Sequence, residues 1–87
     1  MNPVINAYPN PFVSRITVEV TADQERQHIL RLFGMNGRFV KIVSWKLQKG
    51  TNIAVLNDLD SIENGTYTLD IIDEQAHVLN KTMLQKK

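Results

Sequence analysis

The chain has 87 residues, which is enough for one domain and too few for two. Ten basic side chains against nine acidic ones leave it close to neutral, which argues against a nucleic-acid binder that relies on neutralising phosphates. Cysteine is absent, which excludes disulfide bonds, thiolate metal sites and cysteine nucleophiles. The sequence contains no apolar run long enough to span a bilayer, and its first ten residues carry no visible export signal.

The chain begins with a segment, residues 1–7, that is predicted to be a linker or the first strand. Residues 8–12 follow with the sequence YPNPF. Proline cannot donate a hydrogen bond to a strand ladder and pushes the residue before it into extended geometry. We therefore expect a stiff corner at residues 8–12, where the chain passes from one sheet to another. Tyr8 and Phe12 flank this corner and are expected to anchor it in the core.

The next two segments alternate apolar and polar residues with a period of two, which is typical of half-buried strands. In residues 15–21, Ile16, Val18 and Val20 share one face. In residues 28–33, Leu30 and Leu32 are expected to face inward on either side of an outward Arg31. Asn36 and Gly37 follow and predict a tight turn, because both accept positive φ.

The middle of the chain predicts two further strands around a turn at Lys49 and Gly50. In residues 38–47, Val40 and Ile42 are expected on one face, with Phe39 and Val43 on the other or beside a bulge. Residues 51–56 form the next strand. A loop with its own apolar residues then leads to a turn at residues 64–65.

The last part of the chain predicts two more strands. In residues 66–72, Tyr67, Leu69 and Ile71 are expected inward, with Asp70 among the outward residues. A tight connection then leads to a final strand that begins at Val78. Six or seven short strands separated by turns predict an all-β antiparallel sandwich.

Titratable residues offer no convincing catalytic arrangement. His28 and His77 have no serine and carboxylate near them in sequence, and we expect both on the surface. Asp58, Asp60 and Glu63 share one loop and could hold calcium weakly, but such a cluster is more often simply a solvated loop. We therefore predict a protein that is not an enzyme, with no catalytic, cofactor-binding or metal-binding residues.

Several short motifs, in this order, resemble one family. They are YPNPF, LRLFGMNGRFV, LQKGTNIAVLNDL, ENGTYTLDI and a closing lysine pair. Over residues 5–87 the chain is similar to the type A C-terminal sorting domain of type IX secretion, found in certain Gram-negative bacteria. The matching motif residues, to which we assign a structural role, are Tyr8, Pro9, Asn10, Pro11, Gly37, Arg38, Gly50, Asn52, Gly65 and Tyr67.

This resemblance implies an immunoglobulin-like antiparallel β-sandwich of about seven strands, with residues 1–87 as a single sorting domain. It also places recognition by the export machinery in the last strand. We expect that strand to be a bare sheet edge from Val78 onward, onto which a receptor strand could pair. The residues predicted to contact the translocon are Lys81, Met83, Leu84, Gln85, Lys86 and Lys87.

The implied partners are the type IX outer-membrane translocon and its shuttle proteins, a sortase-like peptidase and an upstream cargo domain. Nucleic acid and small-molecule substrates are not expected. The attached protein would pass through the periplasm to the cell surface or the extracellular medium, and the peptidase would remove the domain. The alternative is a non-catalytic immunoglobulin-like module of a surface protein, with a structural, adhesive or carbohydrate-binding role.

Overall fold

The structure is a computed structural model that describes residues 3–87. Met1 and Asn2, which belong to the predicted linker or first strand of residues 1–7, lie outside the described residues. Within residues 3–87 the chain forms seven β-strands: β1 Val4–Tyr8, β2 Ile16–Ala22, β3 Arg26–Gly34, β4 Phe39–Leu47, β5 Gly50–Leu56, β6 Gly65–Ile72 and β7 Val78–Lys86. No helix able to cross a membrane is found in this part of the chain.

The strands form two sheets. One has three strands in the order β1-β2-β5, and the other has four in the order β4-β3-β6-β7. All neighbouring strands are antiparallel. The chain changes sheet after β2, after β4 and after β5, and such repeated crossing between two sheets is typical of immunoglobulin-like sandwiches. The predicted all-β sandwich of about seven strands is confirmed.

The core lies between the sheets and follows the predicted alternation. Ile16, Val18 and Val20 of β2 are fully buried and belong to the same hydrophobic cluster as the inner residues of β3 and β6. Those inner residues are Leu30, Leu32, Tyr67, Leu69 and Ile71. Burial of apolar area at about 25 cal/mol per Å² is therefore the main source of stability in this small domain.

Strand β4 departs from the prediction that Val40 and Ile42 share a face. Val40 packs against the core, whereas Ile42 is exposed on the outer side of the sheet. The cause is a register shift between Leu32 and Phe33 of β3, which pairs Leu32 with Lys41 and Phe33 with Phe39. The bulge that the sequence suggested is present, and it reverses the faces on its two sides.

The corner at residues 8–12 has one of the two anchors that were expected. Phe12 is fully buried, and its ring meets that of Tyr67 edge to face at 6.0 Å between centroids. Tyr8 is exposed instead, and a hydrogen bond with Glu19 raises the pKa of its hydroxyl. Tyr8 pairs with Thr17 on the outward side of β2, so its ring points away from the core. Both proline bonds of the corner are cis.

We predict that replacing Phe12 by alanine lowers the free energy of unfolding by about 3–5 kcal/mol, because it empties a filled position in the core. Val13 is the next residue and is exposed, so Val13→Ala is expected to change stability by less than about 0.5 kcal/mol. Urea denaturation measures both. If Phe12→Ala does not fold, Phe12→Leu should show a smaller loss that is still larger than that of Val13→Ala. Equal losses at the two positions would contradict the placement of the corner.

Candidate functional site

Strand β7, where recognition was predicted, lies at one edge of the four-stranded sheet and pairs with β6 along its length. Its side chains alternate between the two faces of that sheet. Lys81, Met83 and Gln85 are exposed on the outer side, whereas Leu84 and Lys86 are buried. The position of β7 at an edge agrees with the sequence-based expectation.

Two of the six predicted contact residues have side chains that are not on the folded surface. Leu84 belongs to the hydrophobic core. Lys86 is only 6% exposed, and its ammonium group donates a hydrogen bond to the carbonyl oxygen of Lys87 at 2.9 Å. Period-two alternation turns both side chains inward in the folded domain, and their contact with a receptor stays a prediction. Side-chain contacts in the folded domain are left to Lys81, Met83, Gln85 and Lys87.

The edge of β7 is not bare at its C-terminal end, because the corner covers it. The Phe12 N–H donates to the Gln85 carbonyl at 2.8 Å, and the Lys87 N–H donates to the Phe12 carbonyl at 2.9 Å. These two bonds form a parallel bridge between Phe12 and Lys86. The expectation of a bare edge from Val78 onward is therefore wrong for the last three residues.

Asn10 extends this cover by one step along the strand. Its side-chain oxygen accepts a hydrogen bond from the Gln85 N–H at 2.9 Å, and its amide nitrogen approaches the Met83 carbonyl at 3.5 Å. A side-chain amide offers one acceptor and two donors, so it can stand in for a peptide group. Asn10 therefore acts as a cap on the sheet edge, a role that sequence reasoning did not assign to it.

An open stretch of edge remains around Lys81. The backbone groups that face away from β6 recur every second residue. The N–H and C=O groups of Lys81 therefore point to the same side of β7 as those of Met83 and Gln85. Within residues 3–87, no hydrogen bond occupies the outward backbone groups of Lys81 or the outward N–H of Met83. At the other end, the side-chain amide of Asn80 donates to the Pro3 carbonyl at 2.9 Å. The accessible edge is thus about three residues long.

The remaining motif residues lie in hairpins and at strand ends. Gly37 adopts φ 80° in the β3–β4 turn, beside the exposed Arg38. Asn52 closes the β4–β5 turn, since its side chain accepts from the Gln48 N–H at 2.8 Å and donates to the Gln48 carbonyl at 2.9 Å. The Tyr67 hydroxyl donates to the Glu63 carbonyl at 2.6 Å, just ahead of Gly65. These contacts lie within turns and at strand ends, and the structural role of the motif as a whole stays a prediction.

The two histidines differ in their surroundings. His28 is buried rather than exposed, and its Nδ1 lies 2.9 Å from the Arg26 carbonyl oxygen. His77 is exposed as predicted and lies in the β6–β7 turn beside Asp73. The backbone N–H of His77 donates to Asp73 and holds the pKa of that carboxyl below its ordinary value, with a further contribution from Gln75.

No group of acidic or histidine side chains able to hold a metal ion is present in residues 3–87. The acidic loop that could have held calcium therefore lacks the convergence of ligands that such a site needs. Asp58 adopts φ 61° in this loop, and Asp58, Asp60 and Glu63 are all exposed.

The family comparison agrees with this geometry. A family described as the secretion system C-terminal sorting domain matches residues 6–85 of the chain. No curated protein matches the sequence. The matched range runs from β1 through the capped end of β7, so it includes the corner, both sheets and the strand predicted to carry recognition.

We predict that Asn10→Ala lowers the free energy of unfolding by about 1–2 kcal/mol, because the Gln85 N–H loses its acceptor. Amide hydrogen exchange should show the loss directly as faster exchange at Gln85. Asn57→Ala removes an exposed amide of the same size beyond the end of β5 and should leave both measurements unchanged. Unchanged exchange at Gln85 in Asn10→Ala would contradict the capping role.

Proposed function

The chain belongs to the family of secretion system C-terminal sorting domains, and we propose that it directs an attached protein through the type IX outer-membrane translocon. A domain of this family is a non-catalytic targeting unit, and it implies a protein that is secreted by the type IX system. The proposal includes recognition of the domain by the translocon and by shuttle proteins. It also includes the later removal of the domain.

The observation that carries the proposal is the arrangement of β7. It is the last strand in sequence and an edge strand in space, and it presents Lys81, Met83 and Gln85 on the outer side of its sheet. The capped backbone leaves little room for a receptor strand beyond Met83. A receptor therefore recognises β7 through these three side chains and Lys87. Backbone pairing at the open stretch around Lys81 adds to these side-chain contacts.

Removal of the domain requires a cut upstream of the sandwich. We place the cut made by a sortase-like peptidase near or before residues 1–5. Strand β1 begins at Val4 and is held by pairing with β2, so a cut ahead of it would release the domain in one folded piece. The peptidase would then attach the cargo to surface lipopolysaccharide. On this route the attached protein passes the periplasm in transit and ends at the cell surface or outside the cell.

The test is export of a reporter fused ahead of residues 1–87 in a type IX-competent host. The intact fusion should reach the cell surface. A fusion carrying Lys81→Ala, Met83→Ser and Gln85→Ala should accumulate in the periplasm, because it lacks the side chains that identify β7 while keeping its backbone. Deletion of residues 85–87 should have the same effect. Surface fractions measured by protease accessibility decide between these outcomes.

The deletion also removes the partners of Phe12, so loss of folding needs a control. Asn52→Ala destabilises the β4–β5 turn by an expected ~0.5–1.5 kcal/mol, the net contribution of a typical hydrogen bond, without touching β7. This variant should still be exported. If the triple variant and the deletion both reach the surface as efficiently as the intact fusion, the assignment of β7 as the recognised strand is wrong. Failure of the intact fusion would contradict the export function itself.

A further inference from the structure

The middle of the outer face of the four-stranded sheet carries many apolar side chains for a side that points to solvent. Its strands pair so that residues line up in three rows across β4, β3, β6 and β7. The rows are Phe39-Phe33-Thr68-Met83, Ile42-Arg31-Asp70-Lys81 and Ser44-Ile29-Ile72-Val78. An antiparallel sheet with one solvated face normally carries polar residues there, but most positions in this set are apolar.

Several of these apolar side chains are strongly exposed. The exposed fractions are 49% for Phe39, 59% for Ile42, 51% for Val78 and 54% for Met83. These four residues lie on the two edge strands, β4 and β7. The outward residues of β3 and β6 lie between the two edges and connect them into one surface. Aromatic residues, methionine and arginine are the types enriched in protein interfaces. A contiguous surface of this composition marks a binding site more often than chance exposure does.

The centre of the outer face is held by a bidentate ion pair and is electrically neutral. Arg31 donates to both carboxylate oxygens of Asp70, at 2.8 Å and 2.6 Å, and the bond to Asp70 raises the pKa of the guanidinium. The guanidinium carbon also lies 5.8 Å and 5.5 Å from the ring centroids of Phe33 and Phe39. Asp70 is 2% exposed, so its charge is already satisfied within the domain. Covering this centre would therefore leave no unpaired charge there.

Lys81 is the charge on this face that still lacks a counterion. It lies next to Asp70 in the register, but the single negative charge of Asp70 is already balanced by Arg31, which binds both carboxylate oxygens. No ion pair of Lys81 is present in the part of the chain that the structure describes. Its neighbour on the same strand face, Met83, is apolar and exposed.

The position of Lys81 argues against a second copy of the chain as the occupant. Two copies stacked face to face about a two-fold axis along the strands would place Lys81 over Ile42 of the other copy. An axis across the strands would place Lys81 over Lys81. Both arrangements bury ammonium groups without a counterion, which is costly.

We infer that the outer face of the four-stranded sheet docks a protein of the export apparatus that offers apolar side chains bordered by a carboxylate opposite Lys81. This inference rests on the proposed function and extends the recognised surface from β7 to β4, on the far side of the sheet. The partner would cover Phe39 and Ile42 together with Met83. Since Arg31 and Asp70 fix the rings between these edges, the surface is organised before the partner arrives.

The experiment uses the same reporter fusion with Phe39→Thr and Ile42→Thr, which leave β7 untouched. Export should fall by about tenfold or more, as expected when central interface side chains are lost. The matched control is Ile53→Thr with Val55→Thr, which changes two exposed apolar residues of an edge strand on the outer side of the other sheet. This control should be exported normally.

A charge reversal tests the second part of the inference and does not depend on the core. Lys81→Glu should reduce export strongly, whereas Lys81→Arg should preserve it and Lys49→Glu, in the exposed β4–β5 turn, should have no effect. Thermal unfolding of each purified domain identifies any variant that fails to fold. If the β4 double variant does not fold, Ile42→Thr alone replaces it.

The outcomes separate the two proposals. If the β4 variant and Lys81→Glu are folded and exported as well as the intact fusion, while the β7 triple variant is retained, docking on the outer face is wrong and the export function stands. If the intact fusion is not exported, the proposed function fails and this inference fails with it. The oligomeric state of the chain is measured by sedimentation at rising concentration. A dimer that Ile42→Thr dissociates would identify a second copy as the occupant of the outer face and would overturn the inference.

Discussion

One short contact, the parallel bridge between Phe12 and Lys86, ties the beginning of the chain to its last strand. The chain starts in the three-stranded sheet, where β1 pairs with β2, and crosses to the four-stranded sheet at the corner. Phe12 then serves two purposes, because its backbone bonds Gln85 and Lys87 while its ring fills the core beside Tyr67. Without this crossing, the last strand would be held along one side only.

The two prolines explain why the corner covers the edge of β7 without itself offering a new sheet edge. Pro9 and Pro11 have no N–H groups, so the corner has few donors to offer. Asn10 and Phe12 supply those donors, and both use them on β7. A proline-containing segment laid along an edge protects it and cannot itself extend the sheet. The YPNPF motif therefore protects the edge of β7, and this protection reaches as far as the last contact of Asn10, at the Met83 carbonyl.

Local alternation predicted the inner residues of β2, β3 and β6, because burial on one face dictates a period of two. The same rule, followed through β7, would have placed Lys86 inward with Leu84, and in β3 it would have placed His28 inward with Leu30. Polar residues can occupy inward positions near strand ends, where Lys86 and His28 reach backbone carbonyls.

Features that depend on register between distant strands could not be predicted from local pattern. Arg31 and Asp70 are 39 residues apart, and their pairing follows only once β3 and β6 are aligned. The cap that Asn10 places on Gln85 spans nearly the whole chain and is equally invisible to a local rule. The exposed apolar residues of β4 left a weak signal, because Phe39 and Ile42 stand in a strand with too many apolar residues for one buried face.

The cap and the apolar face together decide what kind of recognition this domain can support. Backbone pairing at a sheet edge carries little sequence information, and the stretch left open around Lys81 is short enough to contribute only a few hydrogen bonds of about 1 kcal/mol each. Discrimination between a sorting domain and any other sandwich must then come from side chains. On β7 those side chains are few, but the sheet places Met83 in one row with Phe33 and Phe39. A signal read in this way exists only in the folded domain, since residues from four strands make it. The turn residue Gly37 therefore contributes to recognition without touching a partner, because it lies in the turn of the β3–β4 hairpin that aligns two of those strands.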